Sequence, residues 1–191
     1  MSRSLKWFTP GLARLLGTTA PRLYEREQAL IRAGILDASP GRGPGSGVRA
    51  TAPAVALLII AMLAAETLRE TESRTKEIAE LTPVDADRCP LRGTKSFLYA
   101  LTDLVSSRSR SSRTIEVKIS RTAARAVIVY RDLETRERLE CEFTGPNAKE
   151  PALRVSATLD GAVIKQIAID VSGVLNALDP DDDGAAEEKS R

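Results

Sequence analysis

The chain has 191 residues, 42% of them hydrophobic and 28% charged, which allows one domain or two small ones with a buried core. Its formal net charge of +2 hides two basic blocks, a net +5 in residues 1–50 and again in 106–125, and an acidic end of net −4 in residues 179–191. This pattern indicates contact with a polyanion, whereas the absence of histidine excludes a Ser-His-Asp triad, a Cys-His pair and a histidine zinc site.

The first predicted elements are two short helices joined by a tight turn. The pair Thr9-Pro10 predicts the start of the first helix, with Thr9 as N-cap and Pro10 at the first helical position. Gly17 predicts its end. Either Thr18 or Thr19 is then expected to cap a second helix that reaches residue 33.

A glycine- and proline-rich loop follows at residues 40–47 and carries Arg42. Val48 and Arg49 close this loop, and Thr51 is expected to cap a third helix. The apolar run at residues 52–65 is shorter than the roughly twenty residues that span a membrane, so we expect a buried core helix and no membrane contact. The order helix, turn, helix, arginine-bearing loop, helix predicts a winged helix-turn-helix.

Residues 8–65 also resemble the DNA-binding domain of the MerR-like winged-helix group, which includes transcription regulators and the small terminase subunits of some tailed phages. The resemblance is carried by the stretches Leu12-Ala13-Arg14-Leu15-Leu16-Gly17, Arg22-Leu23-Tyr24-Glu25, Gly34-Ile35-Leu36 and Val48-Arg49-Ala50-Thr51. It implies that the segment binds double-stranded DNA, with Arg22 and Tyr24 of the second helix in contact with it.

Spacing and loop composition extend the predicted DNA contacts. Arg26 lies four residues after Arg22 and so shares its face; alternatively, it pairs with Glu25 or Glu27 at the surface. Arginines of the wing are expected at the phosphate backbone or in the minor groove, unless the loop binds nothing. The complete predicted set is Arg14, Thr18, Thr19, Arg22, Tyr24, Arg26, Arg42 and Arg49.

In the second half, residues 66–81 are expected to continue the third helix as a polar helix that is either solvent-exposed or pairs with a partner. Residues 82–93 are expected to form a linker. A helix is predicted from Thr94, followed by a flexible Ser/Arg loop at residues 106–112. Arginines 108, 110 and 113 in and after this loop could form a second phosphate contact or an RNA-like tail contact, or the loop could be a solvated connection.

Three antiparallel strands are predicted next: apolar residues alternate with polar ones near residues 115–119 and 139–143, whereas residues 126–130 are apolar throughout and are expected to form a central strand. A fourth strand is expected near residues 155–159. Asp160 is expected to cap a last helix, whose apolar stripe reaches residue 178. The net charge and composition of residues 179–191 predict a disordered acidic tail.

The sequence therefore predicts an α+β fold: a winged helix-turn-helix DNA-binding domain with an extended helix (1–81), a linker (82–93), a helix–antiparallel sheet–helix domain for oligomerisation or partner binding (94–178), and the tail (179–191). Cys89 and Cys141, without a recognisable signal peptide, are expected as thiols in a reducing cytoplasm.

We expect a non-enzymatic, homo-oligomeric protein that binds double-stranded DNA and uses no metal or cofactor. Its role would be transcription regulation or recognition of phage DNA for packaging. The alternative is an interaction protein whose winged helix docks another protein.

Overall fold

The computed structural model describes residues 4–39, 47–85, 89, 91, 93–146 and 152–176. Over these residues it has the predicted α+β fold, with seven α-helices and a five-stranded antiparallel sheet. The helices are α1 (Leu5–Leu15), α2 (Ala20–Arg32), α3 (Ala52–Ala64), α4 (Thr71–Ala79), α5 (Phe97–Ser106), α6 (Arg108–Ser111) and α7 (Gly161–Asn176), and the strands are β1 (Thr82–Pro83), β2 (Thr114–Ser120), β3 (Arg125–Arg131), β4 (Arg138–Thr144) and β5 (Ser156–Asp160). The predicted acidic tail lies outside the described residues.

The first helix begins earlier than predicted. Leu5, not Pro10, opens α1, and its backbone N–H donates to the carbonyl oxygen of Val48 at 2.7 Å. Thr9 lies inside the helix, where its Oγ1 donates to the carbonyl oxygen of Leu5 at 2.9 Å. Pro10 is tolerated within α1 although it removes one helical N–H. The helix start is therefore set by a contact with residue 48, which local sequence does not reveal.

The apolar run of residues 52–64 forms α3, the predicted core helix, with Thr51 as its N-cap. Ten of its thirteen residues are buried. The helix packs against α2 and α4 on the N-terminal side and against α5, β2 and β5 in the other half of the chain. Within the described residues no helix is long and apolar enough to cross a membrane.

The polar helix expected at residues 66–81 is corrected by the structure. The third helix ends at Ala64, the chain turns through residues 65–70, and a separate helix, α4, follows. Helix α4 is not simply a solvated helix, because Thr71, Thr75 and Ile78 on one of its faces are fully buried.

The sheet has the strand order β1-β4-β3-β2-β5, with β3 central as predicted. The four expected strands correspond to β2–β5. A fifth strand, β1, comes from the predicted linker and pairs Thr82 with Thr144 and Pro83 with Phe143. Such a two-residue edge strand has no sequence signature, because its pairing is decided by β4.

One face of the sheet carries the core and is covered by helices, while the other is charged. Apolar residues that face the helices include Val117, Ile119, Ile128 and Phe143, and Phe143 meets Phe97 of α5 edge to face at 5.3 Å. On the other face, Glu116 forms ion pairs with Lys118 and Arg138, each at 2.8 Å.

The core is continuous across the predicted domain boundary. Helix α3, assigned to the N-terminal domain, packs on α5 and the sheet of the predicted second domain, and all contribute to one hydrophobic cluster. The described residues therefore do not divide into two separately packed cores, because α3 has no polar face and needs neighbours on every side.

Two further expectations need correction. The Ser/Arg segment is not a flexible loop: residues 108–111 form α6, with Ser107 as N-cap. The two cysteines are not free thiols: Cys89 and Cys141 form a disulfide, and both are buried.

Candidate nucleic-acid interface

The turn between α1 and α2 has the predicted form. Gly17 has φ +63°, a conformation that glycine adopts without strain, and it ends α1. Thr18 is half-buried, and its backbone N–H donates to the carbonyl oxygen of Ala13 at 2.9 Å. Thr19 is the N-cap of α2, since its Oγ1 accepts from the backbone N–H of Arg22 at 3.4 Å. The side chain of Thr19 thus already has an intramolecular role.

Helix α2 buries one stripe and exposes the residues beside it. Leu23, Glu27 and Leu30 are buried, at the spacing of one helix face. Arg22 and Tyr24 are exposed, and at about 100° per residue they flank Leu23 on its two sides. They therefore lie at opposite edges of the outward surface of α2 and do not form one compact patch.

Three predicted arginines are exposed: Arg14 in the last turn of α1, Arg22 in the first turn of α2, and Arg49. Within the described part of the chain, none of their side chains has an ion pair or a hydrogen bond. Their guanidinium groups are thus available to a ligand.

The predicted wing is only partly described. Ser39 pairs with Gly47 in an antiparallel bridge, and Arg49 pairs with Ser4 in another. The two ends of the loop are therefore held together, and the second arm lies beside the start of α1. Arg42 falls outside the described residues.

Arg26 has hydrogen-bond partners within the protein. Its guanidinium donates to the carbonyl oxygens of Ala61 and Ala65, both at 3.0 Å, and of Glu66 at 3.3 Å. It also donates to Oγ1 of Thr71 at 3.0 Å. The side chain therefore binds carbonyl groups at and just after the end of α3, where helical hydrogen-bond partners are missing. This corrects the alternative of a surface ion pair with Glu25 or Glu27, whereas contact of Arg26 with DNA stays a prediction.

Arg121, which no sequence motif singles out, reaches the same end of α3. Its Nε donates to the carbonyl oxygen of Leu63 at 3.0 Å, and its Nη1 lies 3.5 Å from a carboxylate oxygen of Glu66. Burial is the largest cause that lowers the pKa of Arg26, and the charges of Arg121 and Arg22 lower it further. The signal for Arg121 in the sequence was only its place in the second basic block.

A groove of about 450 Å³ lies beside these arginines, between α2 and the turn that follows α3. Arg22 lines it together with Arg26 and Arg121, and the carboxylates of Glu25 and Glu66 lie on its wall. Because Arg26 and Arg121 already bind backbone carbonyls, Arg22 is the cation of this groove that has no hydrogen-bond partner among the described residues.

A second group of arginines lies at another part of the sheet. Arg113, after α6, lines a cleft of about 410 Å³ together with Arg131 and Arg136 of the β3–β4 hairpin. Arg110 of α6 instead forms an ion pair with Asp103 of α5, and Arg108 is exposed. The arginines of the basic segment are thus divided between an internal ion pair, solvent and this cleft.

Among the described residues, the structure contains no group of three or more His, Cys, Asp or Glu side chains that could hold a metal ion. Comparison of the chain with protein-family models, with curated proteins and with solved structures finds no match.

Proposed function

We propose that the protein binds double-stranded DNA through α2, and that α1, α2, the loop of residues 39–49 and α3 form a winged helix-turn-helix similar to that of the MerR-like group. The observation that carries the proposal is Arg22: it is exposed in the first turn of α2, directly after the turn, and it has no ion pair among the described residues. Residues near the start of a recognition helix are those that reach base edges in the major groove.

The surroundings of Arg22 support the same function. Arg14 and Arg49 add exposed positive charge at the end of α1 and beside the start of α1, respectively. The Ser39–Gly47 bridge supports a wing, because it pairs the two arms of the loop. In this proposal Arg22 contacts the bases and Tyr24 contacts the DNA from the other edge of α2, whereas Arg14, Arg49 and Arg42 contact phosphates.

The test uses the full chain, since α3 needs the sheet and α5 to cover it. DNA selected by the protein from a random duplex pool is sequenced, and affinities for the selected duplex and an unrelated one are compared. We expect Arg22→Ala to weaken binding of the selected duplex by about 1–3 kcal/mol and to relax sequence preference, and Arg49→Gln to weaken both duplexes equally.

Lys95→Gln is the matched control. Lys95 lies before α5 and is exposed, and its substitution removes one positive charge, as Arg22→Ala does. A protein that binds no duplex at low salt, or an Arg22→Ala variant indistinguishable from Lys95→Gln, would overturn the proposal. DNA recovered with the protein from cells separates the two roles: an operator indicates a regulator, and a phage packaging site indicates a terminase-like subunit.

We further propose a homo-oligomer, with residues 94–178 as the region that contacts another copy or a protein partner. Light scattering of the full chain with and without duplex measures this directly. The expected cytoplasmic location needs a separate test, because disulfides such as Cys89–Cys141 persist mainly in oxidising compartments. Alkylation of thiols at the moment of cell lysis reports the state of both cysteines in the cell.

A further inference from the structure

We use the term arginine cleft for the cleft lined by Arg113, Arg131 and Arg136. It lies at one end of the sheet, where three segments of the chain meet. Arg113 immediately precedes β2, Arg131 ends β3, and Arg136 belongs to the hairpin that joins β3 to β4. Pairing of Thr114 with Tyr130 brings the first two segments side by side. We propose that the arginine cleft binds phosphate groups of the DNA backbone, as a second contact that is separate from α2.

The carboxylates of the arginine cleft do not neutralise these arginines by direct hydrogen bonds. Asp132 accepts from the backbone N–H groups of Glu134 and Thr135 at 2.8 and 2.9 Å. These bonds, and to a smaller extent the charge of Arg113, hold its pKa below the ordinary value. Asp160 accepts from the backbone N–H of Ala162 at 2.7 Å, at the start of α7. The carboxylate of Asp132 thus stabilises the hairpin turn, and that of Asp160 caps α7.

The three guanidinium groups have no direct side-chain partner among the described residues, although the charge of Arg113 acts on Asp132. Over the described residues, no side-chain hydrogen bond or ion pair is formed by Arg113, Arg131 or Arg136, in contrast to Arg26, Arg74 and Arg121, which bind backbone carbonyls. Arginine presents a planar fork that matches phosphate oxygens in a bidentate geometry. A concave site with three such groups therefore suits phosphate.

The arginine cleft lies far from the proposed DNA contact of α2. Arg113 and Arg121 flank the two ends of β2, and eight residues of extended strand span about 26 Å. Arg121 lies in the groove beside Arg22, so the arginine cleft is at the other end of the sheet. At 3.4 Å per step this separation corresponds to about eight base pairs, and one phosphate cannot serve both sites.

The inference rests on the proposed DNA binding, and its test is the salt dependence of duplex affinity. Each phosphate contact contributes about 0.9 to the slope of log affinity against log salt concentration. The double variant R131Q/R136Q should therefore reduce the slope on a long duplex by about 2. Its melting temperature should not change, because both side chains are exposed. The control K76Q/K95Q removes two exposed positive charges elsewhere, of which Lys76 is paired with Glu72, and should leave the slope at the wild-type value.

The outcomes separate the two proposals. If R131Q/R136Q keeps the wild-type slope while Arg22→Ala weakens binding, the arginine cleft is not a DNA contact and the function of α2 stands. If R131Q/R136Q reduces the slope as expected while Arg22→Ala binds duplex as wild type does, the DNA contact of the arginine cleft is supported and the role of α2 is overturned. A slope reduced equally by R131Q/R136Q and by K76Q/K95Q reflects total charge alone and also overturns the inference.

Discussion

Arg26 and Arg121 donate hydrogen bonds to the same end of α3, Arg26 to the carbonyl oxygen of Ala65 and Arg121 to that of Leu63, each at 3.0 Å. Arg26 comes from α2 and Arg121 from the turn between β2 and β3. The two side chains therefore connect the helix proposed to read DNA, through the end of the central core helix, to the sheet. Arg74 of α4 extends this connection, because its guanidinium donates to the carbonyl oxygens of Ser120 and Ala123 in the same turn.

The first prediction compares the effects of Arg26 and Arg22, both in α2, on the free energy of unfolding. Arg26→Ala leaves the carbonyl oxygens of Ala61 and Ala65 without these bonds, and should lower the free energy of unfolding by about 1–3 kcal/mol. Arg22→Ala, one turn earlier, should change it by no more than about 0.5 kcal/mol. Urea unfolding followed by circular dichroism measures both. Equal stability of the two variants would show that the bonds of Arg26 do not hold α3.

The second prediction compares two glycines of α7. A Cβ at Gly161 would lie 1.9 Å from the carbonyl oxygen of Thr114, whereas a Cβ at Gly173 meets nothing within 4 Å. Gly161→Ala must push α7 away from β2 and should cost about 3 kcal/mol or more. Gly173→Ala should instead stabilise the protein by about 0.5–1 kcal/mol, because alanine has the higher helix propensity.

Thermal unfolding of the two alanine variants tests this packing. A normal melting temperature for Gly161→Ala would mean that α7 does not approach Thr114 as closely as described. The comparison is internally controlled, since both changes add one methyl group to the same helix.

The third prediction concerns Glu27, which is 3% exposed and has an Oε2 without a hydrogen-bond partner in the described structure. Burial raises its pKa above the ordinary value of 4.5, against the smaller opposing effects of Thr9 and Lys6. Between about pH 4.5 and the raised pKa of Glu27, the folded protein therefore binds more protons than the unfolded chain. As the pH rises through this interval, Glu27 makes the free energy of unfolding fall.

Glu27→Gln removes the titration, so its stability relative to wild type should increase from pH 4 to pH 8. Gln28→Ala, on the same helix, is the control, because it changes no titratable group. Urea unfolding at successive pH values provides the measurement. A difference between wild type and Glu27→Gln that stays constant with pH would refute the raised pKa.

Local sequence signals predicted much of the fold because they act locally. Gly17 and Thr19 set a turn and a cap through their own backbone and side chain, and the apolar run that became α3 has no alternative to burial. Alternation predicts β2 and β4, and a continuous apolar run predicts the central strand β3, for the same reason. In each case the residue type alone limits the conformations that the chain can adopt.

The corrected features depend on distant partners. Thr9-Pro10 has the composition of a helix start, but the bond from Leu5 to residue 48 starts α1 five residues earlier. Arg26 has the spacing of a base-contacting residue, and only the position of α3, thirty-five residues away at Ala61, shows where its donors go. Strand β1 and the disulfide likewise require the partner strand β4.

The last prediction concerns Cys89 and Cys141, whose disulfide closes a loop with a sequence separation of 52 residues. Restricting the unfolded chain over such a loop stabilises the folded state by about 4 kcal/mol. The bond also fastens the segment after β1 to β4, next to the core. Reduction should therefore lower the free energy of unfolding by about that amount, and urea unfolding with and without a phosphine reductant measures it. In the variant C89A/C141A the reductant should have no effect, because the bond is its only target. Two alkylatable thiols in the non-reduced, unfolded wild-type protein, or unfolding curves of wild type that the reductant leaves unchanged, would show that the bond does not form.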